Sequence, residues 1–69
     1  MTSVSAQFGK NVVDARKAKG LSQEALADLA NLDRSYLSRV ERGLMRVTLE
    51  KAFDIATALD CHISDLLPN

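Results

Sequence analysis

The chain has 69 residues, 46% hydrophobic and 26% charged, with nine basic side chains balanced by nine acidic ones. That composition belongs to one folded domain rather than a disordered tail, and the length leaves no room for a second domain or an enclosed catalytic pocket. One cysteine cannot form an internal disulfide, which points to a reducing, cytoplasmic setting, and a single histidine without a glycine-rich phosphate loop argues against an enzyme.

The charge is zero overall but unevenly placed. From Lys10 to Arg46 eight basic residues face five acidic ones, a balance of +3, whereas from Val47 onward Lys51 stands against four acidic residues, a balance of −3. A basic body with an acidic C-terminal end fits an anionic partner met on one side. Met1–Gln7 has neither the basic start nor the apolar core of a signal peptide, and no stretch reaches membrane-spanning length, so no membrane partner is expected.

In chain order, Met1–Ser3 is expected to fray, with Ser3 or Ser5 capping a first helix. Phe8, Val12 and Ala15 fall at helical steps on its inward face, Lys17 and Lys19 suit the negative end of its dipole, and Gly20 ends it. Val13 lies off that stripe, either exposed or packed against Val4. Ser22 caps a second helix in which Leu26, Ala27, Leu29 and Ala30 recur at three- and four-residue steps, placing most of them on one face. Asn31 tolerates left-handed backbone angles and is read as the hinge of a tight turn. Asp33 caps a third helix running to about Gly43, with Leu37 and Val40 inward and Arg34, Ser35, Ser38, Arg39 and Arg42 lining the rest. Leu44–Val47 is a loop, and Thr48 caps a fourth helix with Glu50 in its first turn. Its core stripe is read as Leu49, Ala52, Phe53, Ala56 and Leu59, with Ile55 to one side as an additional contact surface. A fifth short helix spans roughly Ile63–Leu67 and ends at Pro68. Two helices, a short turn, an apolar underside and a basic outer face make residues 22–43 a helix-turn-helix.

The run LSQEALA (Leu21–Ala27), followed by LDRSYLSRVERG (Leu32–Gly43), resembles the phage-repressor and Cro-like (XRE) family of DNA-binding regulators. The likeness extends from Phe8 to Leu67, and the stretch NLDRSY (Asn31–Tyr36) is most similar to the controller proteins of restriction-modification systems. The resemblance implies an all-α, compact five-helix, lambda-repressor-like domain filling residues 1–69. It also implies that Gln23 holds the phosphate backbone and that Arg16 and Glu41 form an ion pair linking the first helix to the third. An amphipathic helix of this size fits the DNA major groove, where arginine donates two hydrogen bonds to guanine. Arg34, Ser35 and Arg39 are therefore read as base-contacting residues. Tyr36, Ser38, Arg42 and Arg46 join Gln23 as backbone contacts, although Tyr36 equally suits the edge of the core.

These residues imply a sequence-specific, double-stranded DNA-binding regulator of transcription, working as a homodimer on a two-fold symmetric operator. Ile55, Ile63, Leu66 and Leu67 are read as the dimer surface, and RNA polymerase is a further partner consistent with this class. No small-molecule effector and no cofactor are expected. The alternative is an interaction module of the same shape that binds protein instead, antitoxin-like or coactivator-like. Four positions depart from the family pattern: Leu44 and Met45 replace basic or amide side chains and either fold onto the core or form an apolar patch. Asp60 stands where a helix-ending glycine is usual, and His62 where a Ser or Thr cap is usual. Cys61, His62 and Asp65 fall short of a four-ligand zinc site, so no metal is expected and Cys61 reads as a small apolar residue.

Overall fold

Hydroxyl side chains start three of the helices in the computed structural model, which describes residues 3–68. Ser3 Oγ accepts the Ala6 amide proton at 3.0 Å, Ser22 Oγ that of Ala25 at 3.0 Å, and Thr48 Oγ1 that of Lys51 at 3.2 Å. They open α1 (Val4–Ala18), α2 (Gln23–Ala30) and α4 (Leu49–Ala58). Asp33 precedes α3 (Arg34–Glu41) but makes no side-chain capping bond, so its charge acts on the helix only through the dipole. The expectation that Met1–Ser3 frays is not met at Ser3, which is held as the α1 cap, and at Met1 and Thr2 it lies outside the described residues.

All four helices close in one way. The chain turns through a positive φ at Gly20, Asn31, Gly43 and Asp60, the last at +54°. The next amide then reaches a carbonyl five residues back: Leu21 to Arg16 at 3.0 Å, Leu32 to Ala27 at 2.8 Å, Leu44 to Arg39 at 3.0 Å and Cys61 to Ala56 at 3.0 Å. Asp60 thus changes the residue but not the shape of the last connection, since Asp is among the few side chains that tolerate this region.

The core gathers Phe8 and Val12 from α1, Leu26, Ala27 and Ala30 from α2, and Leu37 and Val40 from α3. Ala52, Ile55, Ala56 and Leu59 join them from α4, with Leu66 from the C-terminal segment. Two stripes differ from the sequence expectation. On α4 the buried row is Ala52, Ile55, Ala56 and Leu59, while Leu49 and Phe53 are 72% and 55% exposed. The helix is apolar on two sides, and the row spaced at three, four and seven residues turned inward. On α2, Leu29 faces solvent at 62% exposure. Met45 packs against the core whereas Leu44 points outward, so this pair divides between its two readings.

The expected fifth helix is a 3-10 turn, Ile63–Asp65. The Leu66 and Leu67 amides bond to the carbonyls of Ile63 and Ser64, three residues back, at 2.9 and 3.4 Å. Pro68 disfavours the helical region for the residue before it, which leaves too short a run for an α-helix. Asn11 Nδ2 on α1 instead donates to the carbonyls of Leu66 at 3.0 Å and Leu67 at 3.4 Å, fastening this segment across the domain. Among the described residues no helix is long and apolar enough to cross a membrane.

Gly9 sets how closely α1 crosses α3. A Cβ there would collide with the Val40 carbonyl oxygen and lie 2.8 Å from that of Glu41, both backbone atoms that cannot swing aside. Gly43 combines a φ of +74° with a second close approach, its missing Cβ lying 2.7 Å from the Ala6 Cα. Gly9→Ala is expected to destabilise the domain by about 1–3 kcal/mol, in the range of overpacked cores. A urea melt checks this, and an unchanged midpoint would show that the two helices have room to part.

Candidate nucleic-acid interface

Helix α3 has eight residues, about 12 Å of rod at the usual rise per residue. Leu37 and Val40 are 0% and 1% exposed and pin one side of it to the core. The geometry leaves Arg34, Ser35, Ser38, Arg39 and Arg42 around a single shallow depression on the opposite side. Four of these are exposed and Ser38 is half-buried. Arg42 Nε lies 3.4 Å from the Ser38 carbonyl, a long bond within its own helix. Arg34 and Arg39 enter no ion pair among the described residues. The depression therefore presents three guanidinium groups and two hydroxyls, suited to hydrogen-bonding acceptors on an anionic surface.

The remaining sequence-named residues are distributed elsewhere. Tyr36 is half-buried, packs against the core, and shares a polar cleft with Asn31, Leu32, Asp33 and Lys51. Arg46 is exposed but lies apart from the α3 depression, at an apolar groove whose other walls include Val4, Phe8, Leu49, Ala52, Ile63 and Leu67. Lys51, counted in the sequence only for its charge, brings a positive group to the cleft at the start of α3. No spacing rule marks it, because Lys51 reaches the cleft only through the packing of α4 beside the turn.

Behind α3, Glu41 collects three donors. Arg16 Nε donates to Glu41 Oε2 at 2.7 Å and a terminal nitrogen of the same guanidinium to Oε1 at 3.1 Å, a two-pronged ion pair. Arg16 also donates to the Leu21 carbonyl at 3.0 Å, and the Gln23 amide nitrogen donates to Glu41 Oε1 at 2.9 Å. The pair is well shielded, with side-chain exposures of 13% for Arg16 and 4% for Glu41. Gln23 thus stands at the first turn of α2 with part of its amide already engaged.

The residues proposed for a dimer surface also separate. Ile55 and Leu66, at 0% and 1% exposure, are enclosed by their own chain and offer no surface. Ile63 is half-buried and Leu67 is 43% exposed. Val4 and Leu49 reach solvent in the same groove as Ile63 and Leu67, and the exposed Phe53 lies one helical turn from Leu49 on α4. The sequence carried this signal, since Leu49 and Phe53 repeat at four residues, but assigned it to the core.

Near the C-terminal end, Asp65 accepts the His62 backbone amide proton at 3.2 Å. Burial, and then the negative charge of Asp65, push the Cys61 thiol above its ordinary value. Cys61 is half-buried against the core.

Glu41→Ala is expected to cost about 3–5 kcal/mol of stability, because it strands the shielded Arg16 charge and a Gln23 donor. Chemical denaturation checks this; a loss below about 1 kcal/mol, the range of exposed pairs, would mean that water reaches the site freely.

The family model described as helix-turn-helix matches residues 13–66 of the chain. Control protein C.SmaI of Serratia marcescens is 40% identical over 60 residues, covering 87% of this chain and 71% of that protein. Control protein C.MunI of a Mycoplasma species is 36% identical over 67 residues, covering 96% and 90%. Among solved structures, the restriction-modification controller protein C.AhdI of Aeromonas hydrophila superposes with a TM-score of 0.86 at 49% identity, covering 88% of this chain and 92% of that one.

Proposed function

The chain belongs to the helix-turn-helix (XRE) family of DNA-binding transcription regulators, and from that premise we propose that it reads a specific duplex sequence as a homodimer on a two-fold symmetric operator. The observation that carries this reading is the outer face of α3, where Arg34, Ser35 and Arg39 stand exposed around one depression on a helix anchored from behind. Arg34 and Arg39 are assigned to guanine edges and Ser35 to a neighbouring base. Ser38, Arg42, Gln23, Tyr36 and Arg46 are assigned to phosphates. Similarity to the control proteins supports a place in a restriction-modification system, where the level of the regulator itself would set the response.

One α3 helix spans only a few base pairs. A second copy doubles the contact, with half-sites about 34–36 Å apart, one turn of the duplex. The surface assigned to that pairing is Leu49 and Phe53 on α4 with Leu67 and Ile63, which replaces the buried Ile55 and Leu66 of the sequence reading. A chain this small gains stability from such an association.

A second reading, a protein-binding module of the same shape, is favoured by Leu44, which is 65% exposed in a loop next to α3. Salt separates the two. Binding through phosphates weakens steeply as salt rises, whereas an apolar partner contact does not.

Selection of duplexes from a random pool tests the main reading, with enrichment of a palindrome expected and recovery of unrelated sequences opposing it. Arg39→Ala is expected to cost about 1–3 kcal/mol and to relax preference at one base pair per half-site, while Arg46→Ala weakens all sequences evenly. Phe53→Asp is expected to shift the protein to monomer in sedimentation velocity and to weaken binding to the selected duplex; a dimer that persists would place the interface elsewhere.

A further inference from the structure

Glu41 touches two groups with different duties. Arg16 belongs to the packing of α1 on α3, but Gln23 lies at the first turn of α2, where the family resemblance places a backbone contact. The Gln23 side chain reaches Glu41 Oε1 through its amide nitrogen at 2.9 Å. Its second amide proton and its oxygen have no protein partner among the described residues. An amide must choose which end it turns toward a neighbour, and a carboxylate settles the choice, since it accepts only. With the nitrogen held inward, one N–H remains free for an oxygen of the duplex backbone. In the opposite orientation the amide oxygen would face the carboxylate and that hydrogen bond would be lost.

We propose that Glu41 is a positioning residue for DNA binding: it fixes the Gln23 amide in the orientation that presents a proton to a phosphate oxygen. The carboxylate is itself immobile, clamped by two bonds from Arg16 at 2.7 and 3.1 Å, so the orientation is set before DNA arrives. Its negative charge also draws the half-buried Gln23 amide nitrogen inward, sparing Gln23 the entropy of finding its pose on contact. This inference rests on the DNA-binding reading of the preceding section.

The test is a double-mutant cycle on the full chain, read as affinity for a mixed-sequence duplex at low salt. Each variant is measured at a temperature where circular dichroism shows it folded. Gln23→Ala is expected to weaken binding about ten- to hundredfold, the worth of a hydrogen bond to a charged group. Glu41→Gln, whose amide can face Gln23 either way, is expected to lose most of that same factor, and the double variant no more than either alone. Thr48→Ala serves as the structural control: it removes the α4 cap and lowers the melting temperature but leaves Arg16, Glu41 and Gln23 as they are. Where Glu41→Gln does not fold, Glu41→Asp repeats the cycle, because it keeps the charge for Arg16 but falls one methylene short of Gln23. Effects of Gln23 and Glu41 that multiply, a Glu41→Gln variant binding as tightly as the parent, or a silent Gln23→Ala would each overturn the proposal. Failure of the parent chain to bind any duplex would overturn the DNA reading itself, and is seen before any variant is made.

Discussion

The arrangement depends on how α1 is fastened to α3. Gly9 removes the one Cβ that would hold the two helices apart, and the Arg16–Glu41 pair locks them at the C-terminal end of α3. Neither contact would suffice alone. Close backbone approach supplies dispersion but little direction, whereas a two-pronged ion pair supplies direction but, once desolvated, little net energy. Together they fix both the distance and the rotation of α3, and its rotation decides whether Arg34 and Arg39 face outward. The side that bonds to α1 and the side that meets a partner are thus two sides of one rigid rod.

The helices themselves were legible because local chemistry announces them. Ser3, Ser22 and Thr48 mark starts, and Gly20, Asn31 and Gly43 mark stops, each through a backbone need that only a few residue types meet. What the sequence did not resolve was facing, wherever a helix is apolar on more than one side. On α4, Ala52, Ala56 and Leu59 belong to either candidate stripe, so the choice lay between Phe53 and Ile55, and Ile55 is the one buried. Burial follows the geometry of the neighbours: α4 packs against α2 and the C-terminal turn, and the row from Ala52 to Leu59 is the one enclosed. The last segment failed for another reason. Its shape comes from Pro68, which cuts the run short, and from Asn11, fifty-five residues away, which fastens the Leu66 carbonyl across the domain.

The outer face of α3 was legible by subtraction. Once Leu37 and Val40 are buried, an eight-residue helix has no other place for Arg34, Ser35, Arg39 and Arg42 than solvent. Contacts between elements were not legible in this way. Lys51 reaches the cleft beside Tyr36, Arg46 lies at the α4 groove, and Gln23 bonds Glu41, each through a neighbour distant in sequence. The Arg16–Glu41 pair came from likeness to known regulators, since two charges twenty-five positions apart carry no local sign of their meeting.

Zero net charge, which argues against a nucleic-acid partner when taken as a single number, changes meaning once the charges have positions. Several acidic groups are spent inside the molecule or far from α3: Glu41 is neutralised by Arg16, Asp14 lies beside Lys10, and Asp60 beside Lys19 at the remote end of α4. Around the α3 depression the guanidinium groups of Arg34, Arg39 and Arg42 have no such counterweight within ion-pair distance among the described residues. The field is therefore directional rather than strong. A duplex approaching the α3 side meets positive charge, whereas one approaching the acidic C-terminal end meets repulsion, so orientation is selected before contact. A uniformly basic domain of this size would adhere to any phosphate surface from any side. Here discrimination between faces comes with a weaker grip per chain, which the proposed pairing of two copies on one duplex would offset, since the second α3 would present its own arginines while the net charge stayed at zero.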